Sequence, residues 1–273
     1  MIRRFSSNDW IAIAKRVNSP RVRLLCFPHG GGSANTFYAW PRNLPEDVEV
    51  CALELPGRGR RLFEAPVTSI DEIIEPLWEA FQPFRGTPVA FFGHSLGASV
   101  AFEFARTLQS RKIPLMHLFV AGQSAPQLPD LEPPIRNLPD REFISEVCQR
   151  YGGLPEEILR NEEIMALILP TLRADLTMKE RYRYVDGPLL VCPISSFGGH
   201  QDSTVPFDEL CAWRDQTCRG FGIRMFPGGH FFVDSARESL LKFVAADLEH
   251  SLRGSFSESN VRVGTLVSSE SAG

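Results

Sequence analysis

The chain has 273 residues, with 29 Lys and Arg against 33 Asp and Glu, for a formal charge of −4. This balance offers no basic footprint for a nucleic acid. No run approaches the ~20 apolar residues of a membrane span, and the arginine-bearing N-terminus lacks the apolar stretch of a secretory signal, so a cytoplasmic protein is expected. At 43% hydrophobic and 23% charged, the length suits one α/β domain with a large insertion, or two small domains.

Six apolar runs are predicted as strands, each closed by glycine, proline or polar residues. The first, 21–27, ends at Pro28-His29-Gly30-Gly31-Gly32, and the second, 48–55, at Pro56-Gly57-Arg58-Gly59. An amphipathic helix follows over 69–84, with Ile70, Ile73, Ile74, Leu77, Trp78 and Phe81 on one face. The third run, 88–93, ends at His94-Ser95-Leu96-Gly97 and leads into a helix over 96–109. The fourth, 115–122, ends at Gln123-Ser124.

The alternation then stops. Residues 126–186 read as an all-helical insertion: a helix over 140–151 capped by Asp140 and ended by Gly152-Gly153, a short one opened by Pro155, and a longer one over 161–184 kinked at Pro170. The fifth run, 188–196, ends at Phe197-Gly198-Gly199-His200-Gln201-Asp202. The sixth, 221–226, ends at Pro227-Gly228-Gly229-His230, before a last helix over 234–252 capped by Asp234. Near-continuous apolar strands alternating with helices indicate a mostly parallel sheet covered on both faces, with ligands held beyond the carboxyl ends of the strands. The expected organisation is a single domain over 1–253, its core being about 1–125 and 187–253 and its helical lid 126–186. Residues 254–273, rich in Ser and Gly, read as a disordered tail.

Gly93-His94-Ser95-Leu96-Gly97 is a GxSxG sequence between a strand and a helix, the setting in which a serine projects from a sharp turn as a nucleophile. His230, in a glycine-rich loop after the last strand, is the expected base. His94 adjoins Ser95 and points elsewhere, while His29, His117, His200 and His250 read as structural or exposed. Asp202 completes the order Ser, Asp, His and would orient the imidazole; Asp208 is carried away by a helix starting at Pro206, and Asp175 and Asp186 lie in or beside the insertion. The backbone amides of Leu96 and Gly30 are the expected oxyanion donors, with Gly31 the next choice and Gly31 and His29 assigned to substrate contact. No Gly-Lys-Ser/Thr follows HGGG to make it a phosphate loop. The six cysteines have neither CxxC nor zinc-ligand spacing, and Cys26, Cys51 and Cys192 read as reduced core thiols. No metal and no cofactor is expected.

FPHGGGSANTF, LELPGRGRR, FFGHSLGA and FPGGHFF, in this order, resemble the type II thioesterases, stand-alone α/β-hydrolases that accompany polyketide synthases and nonribosomal peptide synthetases. The resemblance covers about residues 20–250 and includes Leu172-Arg173-Ala174-Asp175 and the Trp213-Arg214 stretch with Thr217. It departs at Gly30, where the family often has Ala, a change that keeps the backbone donor. The resemblance implies an α/β-hydrolase fold and hydrolysis of acyl groups from the phosphopantetheine arm of acyl or peptidyl carrier proteins, often to clear stalled chains. The expected state is a monomer that binds neither nucleic acid nor membrane. Ile164, Leu167, Ile168 and Leu172 are candidates for an acyl pocket or for helix packing, and Arg58, Arg60 and Arg61 for carrier docking or a solvated turn. A carboxylesterase or peptidase, and a non-catalytic binding protein on the same scaffold, are the alternative readings.

Overall fold

The computed structural model describes residues 9–152 and 154–254. The expected tail beyond Gly254, most of the N-terminal segment and Gly153 lie outside the described residues. A seven-stranded sheet has the spatial order β1-β3-β2-β4-β5-β6-β7. The strands are β1 (Ile11–Ile13), β2 (Val22–Phe27), β3 (Val48–Leu53), β4 (Val89–His94), β5 (His117–Ala121), β6 (Ile194–Gly199) and β7 (Phe221–Phe226). β1 runs antiparallel to β3, and every other neighbouring pair is parallel.

Helices cover both faces. They are α1 (Asp71–Phe81), α2 (Leu96–Ser110), α3 (Asp140–Tyr151), α4 (Glu156–Leu159), α5 (Glu162–Arg181), α6 (Phe207–Cys211), α7 (Phe232–Ser235) and α8 (Arg237–Leu252). The period of two along each strand explains the apolar runs. In β4, Val89 and Phe91 enter the core beneath α1 and α2, while Ala90 and Phe92 enter the core beneath α7 and α8. Strands buried on both faces need apolar side chains at successive positions.

The three helices α3, α4 and α5 lie between β5 and β6 and have a small core of their own, where Phe143 and Val147 of α3 pack against Leu172 and Leu176 of α5. α5 is continuous through Pro170. Among the described residues, no helix is long and apolar enough to cross a membrane. All six cysteines are free thiols. Burial pushes the Cys192 thiol up to about 12 and those of Cys26 and Cys51 up as well.

The structure differs from expectation at several elements. β1 is additional; three residues are too short to show a pattern. The fifth strand is Ile194–Gly199 and not 188–196. Leu190 forms only an isolated bridge to Thr217. Asp140 is the first residue of α3 and makes no side-chain cap; Pro139 holds the cap position. Asp234 lies inside α7, and Ala236 precedes α8. The stop of α3 is as expected, at Gly152 with φ of 67°.

Candidate active site

β4 delivers Ser95 at its carboxyl end on a turn that crowds backbone against backbone. Ser95 has φ of 52°, a left-handed conformation that costs an L residue of order 1–3 kcal/mol. Its amide donates to Ala121 O on β5 at 2.8 Å, which holds the turn. The flanking glycines are required for space. A Cβ on Gly93 would stand 2.4 Å from Ala98 Cα, and one on Gly97 2.1 Å from Phe27 O. The close approach at Gly97 seats the start of α2 directly on the end of β2, bringing the serine turn next to the Pro28–Ser33 loop.

His230 and Asp202 arrive from the carboxyl ends of β7 and β6. Their loops touch backbone to backbone: a Cβ on Gly199 would meet Gly229 O at 2.4 Å, and Gln201 N–H donates to Gly228 O at 2.9 Å. Ser95 Oγ lies 2.9 Å from His230 Nε2, and His230 Nδ1 lies 2.9 Å from Asp202 Oδ2. Thr204, absent from the sequence reading, donates its backbone amide at 3.0 Å and its hydroxyl at 2.7 Å to Asp202 Oδ1. Burial raises the Asp202 pKa, but the hydrogen bond and charge of His230 and the two Thr204 donors outweigh it, so the carboxyl sits below its ordinary value. Ser95 and His230 are 7% and 6% exposed, shielded yet reachable.

Two of the remaining histidines pack beside this array. His94 turns away from the serine, and its Nε2 lies 2.9 Å from the backbone oxygen of His230. His29 Nδ1 lies 2.9 Å from Gly30 O, and its ring meets Phe231 edge to face. His117, the first residue of β5, is buried between Ser195 and Ser251, whereas His200 and His250 are exposed.

In the glycine loop, Gly32 N–H donates to His29 O at 2.9 Å and Gly31 N–H donates to Asp175 Oδ2 at 2.6 Å. The Gly31 amide is therefore already engaged. Gly30 N–H has no partner among the described residues. Leu96 N–H opens α2, where the helix end favours developing negative charge.

A cavity of about 380 Å³ opens onto Ser95 and His230, with Leu96, Val147, Ile158, Leu167, Ile168 and Leu172 in its walls. Of the four expected apolar residues of the insertion, Leu167, Ile168 and Leu172 therefore reach the cavity, while Ile164 is 38% exposed and outside its lining. Lys179 donates to the Tyr151 hydroxyl at 2.8 Å. The Tyr151 ring lies 5.2 Å from the His230 ring, placing a polar pair at one wall. Sequence gave no sign of it, because the partners belong to separate helices.

Two of the three arginines considered for docking are turned inward. Arg58 is 5% exposed and forms a bidentate pair with Asp175, both bonds at 2.7 Å. Arg61 is 7% exposed, pairs with Glu64, donates to Glu54 O at 3.1 Å and lies over the Trp10 ring. Arg60 alone of the three is exposed. Asp208 lies in α6 as expected. Among the described residues, no group of three or more His, Cys, Asp or Glu is placed to hold a metal ion.

The family model of the thioesterase domain matches residues 22–248. Gramicidin S biosynthesis protein GrsT of Aneurinibacillus migulanus is 40% identical over 242 residues, covering 88% of this chain and 94% of that protein. The type II thioesterase BorB from the borrelidin biosynthetic cluster superposes with a TM-score of 0.82 at 34% identity, covering 90% of this chain and 100% of that one. YbtT, a type II thioesterase from the yersiniabactin NRPS/PKS pathway, superposes with a TM-score of 0.78 at 27% identity, over 89% and 99% of the two chains. The chain belongs to the thioesterase family, as a type II member with the α/β-hydrolase fold, and is an enzyme of thioester hydrolysis.

Proposed function

We propose that this thioesterase removes acyl groups from the phosphopantetheine arm of acyl or peptidyl carrier proteins, an editing role in polyketide or nonribosomal peptide biosynthesis. The observation that carries the reading is the hydrogen-bonded series Ser95, His230 and Asp202 at the mouth of an apolar cavity. Relatives of the NRPS/PKS and gramicidin S pathways support the choice of carrier-bound substrates.

Ser95 Oγ attacks the thioester carbonyl as His230 Nε2 takes its proton, and Asp202 steadies the imidazolium. The amides of Leu96 and Gly30 receive the oxyanion; in other hydrolases one such donor contributes about 3 kcal/mol. Collapse expels the pantetheine thiolate, which takes the proton from His230. Water, deprotonated by the same histidine, then attacks the acyl-serine and releases the acid. The reaction draws on no cofactor, because a thiolate is already a good leaving group. The apolar cavity walls suit an acyl chain, with Gly31 and His29 along its edge. We place the domain at 1–253, with 126–186 acting as a lid over the acyl chamber. A monomer in the cytoplasm is the working form in this reading.

Ser95→Ala tests it. The variant is expected to keep the wild-type melting temperature and to lose hydrolysis of acyl-carrier protein by at least about 10³-fold. Normal turnover by it would overturn the nucleophile assignment. Wild-type enzyme that cleaves aryl esters faster than carrier-bound thioesters would overturn the substrate class.

A further inference from the structure

The Pro28–Ser33 loop presents a physical problem. Three successive glycines leave its backbone free to adopt many conformations, yet an oxyanion donor works only when it is fixed before the reaction. The peptide unit that follows the Gly30 amide is held at both ends: Gly30 O lies 2.9 Å from His29 Nδ1 and Gly31 N–H donates to Asp175 Oδ2 at 2.6 Å. One residue on, Gly32 O accepts from Arg58 Nη1 at 3.0 Å. Arg58 completes the circuit through its two bonds to Asp175, whose side chain is fully buried. The same face of α5 supplies two further contacts. Leu172 Cδ1 lies 3.1 Å from where a Cβ of Gly31 would be. Thr171 Oγ1 donates to Gly57 O at 2.7 Å, tying in the loop after β3.

We infer that the Asp175–Arg58 pair is a positioning device that sets the direction of the Gly30 amide, so that the helical insertion takes part in catalysis besides enclosing the acyl chain. The inference rests on the reading of Ser95 as nucleophile and of Gly30 as oxyanion donor. A carboxylate is needed because both of its oxygens face donors: Oδ1 receives Arg58 Nη2, and Oδ2 receives Arg58 Nη1 and Gly31 N–H. An amide at this position would turn its NH2 against one of those donors whichever way it flipped. Neither Asp175 nor Arg58 touches the reacting atoms; both act through the loop.

The test is Asp175→Asn, with Arg58→Lys as a second variant that keeps the charge but loses the bidentate geometry. Two analogues of one acyl-pantetheine serve as probes. A trifluoromethyl ketone forms a tetrahedral oxyanion on Ser95, and an amide isostere reports ground-state binding only. Asp175→Asn is expected to lower kcat by about 30-fold or more, and to weaken the trifluoromethyl ketone by a similar factor. KM and amide-isostere affinity should change by less than about threefold. Arg58→Lys should show the same split with a smaller loss. Equal loss of both analogues, or unchanged trifluoromethyl ketone affinity in a folded variant, would overturn the inference. Should Asp175→Asn fail to fold, the Arg58→Lys split decides alone. Turnover by Ser95→Ala, by contrast, would remove the underlying reading whatever these variants show.

Discussion

Gly97→Ala is the smallest change that reaches the centre of the site without altering a chemical group. The added Cβ would stand 2.1 Å from Phe27 O and 2.5 Å from Phe27 C and Pro28 O, where ordinary contact begins at 3.4 Å. The shortfall exceeds 1 Å, and the opposing atoms are backbone of β2 and its loop, so no side chain can swing aside. Either α2 slides away from β2 or the Pro28–Ser33 loop is displaced. Overpacking of this kind costs about 1–3 kcal/mol, which for a domain of this size lowers the melting temperature by roughly 2–10 °C. Both responses also separate Ser95 and Leu96 from Gly30. A displacement near 1 Å in a reacting array costs about 10²-fold in rate. Calorimetry together with kcat/KM on an acyl-pantetheine thioester reads both effects. Wild-type melting with wild-type kcat/KM would refute the argument, since it would mean that the contact between α2 and β2 neither limits stability nor sets the alignment.

Asp202→Asn should leave the fold in place and lower kcat by about 10³–10⁴-fold, because the amide favours the wrong imidazole tautomer; steady-state rates with unchanged circular dichroism check it. Since His230 and Thr204 hold the Asp202 carboxyl below its ordinary range, a kcat–pH profile of the wild type should show no loss from Asp202 protonation down to about pH 5. Burial, with a smaller push from Arg224, lowers the His117 pKa from 6.5 to about 3. Below pH 6.5 the unfolded chain then binds a proton that the native state refuses, so this contribution to stability is complete above pH 6.5 and is lost as the pH falls toward 3. Urea midpoints between pH 7.5 and pH 4.5 should fall less steeply in His117→Asn than in wild type. Parallel slopes would contradict the assignment.

What the sequence made legible follows from how locally each feature is encoded. β2, β3, β4, β5 and β7 were readable because burial on both faces demands consecutive apolar residues, as at Val89, Ala90, Phe91 and Phe92. β6 defeated that rule. Its Ser195 is buried and polar, satisfied by His117 and by Asp247, so the apolar stretch just before it drew the assignment forward. The positions of Ser95, Asp202 and His230 were readable because each closes a strand in a glycine-marked loop. Their supports were not. Arg58 and Asp175 lie 117 positions apart, and nothing local tells an arginine in a loop that it will be buried. Thr204 lies two residues from Asp202, yet any Ser or Thr near an acid looks alike in a sequence. Asp140 and Asp234 looked like helix caps by residue type, but Pro139 and Ala236 occupy the cap positions.

The place where the helical insertion leaves the sheet has an evolutionary corollary. It departs after β5 and returns at β6, and these strands are direct neighbours, with Ala121 opposite Phe197. Because the two strands run parallel, it leaves at the carboxyl end of β5 and re-enters at Ile194, opposite Leu118, one strand across and about 10 Å back along the sheet. Such a crossover can be exchanged as a cassette, because the sheet retains its own ladder whatever the excursion contains. Its own small core of Phe143, Val147, Leu172 and Leu176 makes it more self-contained still. In the proposed reading, acyl preference can diversify by trading this cassette while Ser95, His230 and Asp202 stay on the sheet. The one condition is that the incoming segment carry an acid where Asp175 now meets Arg58.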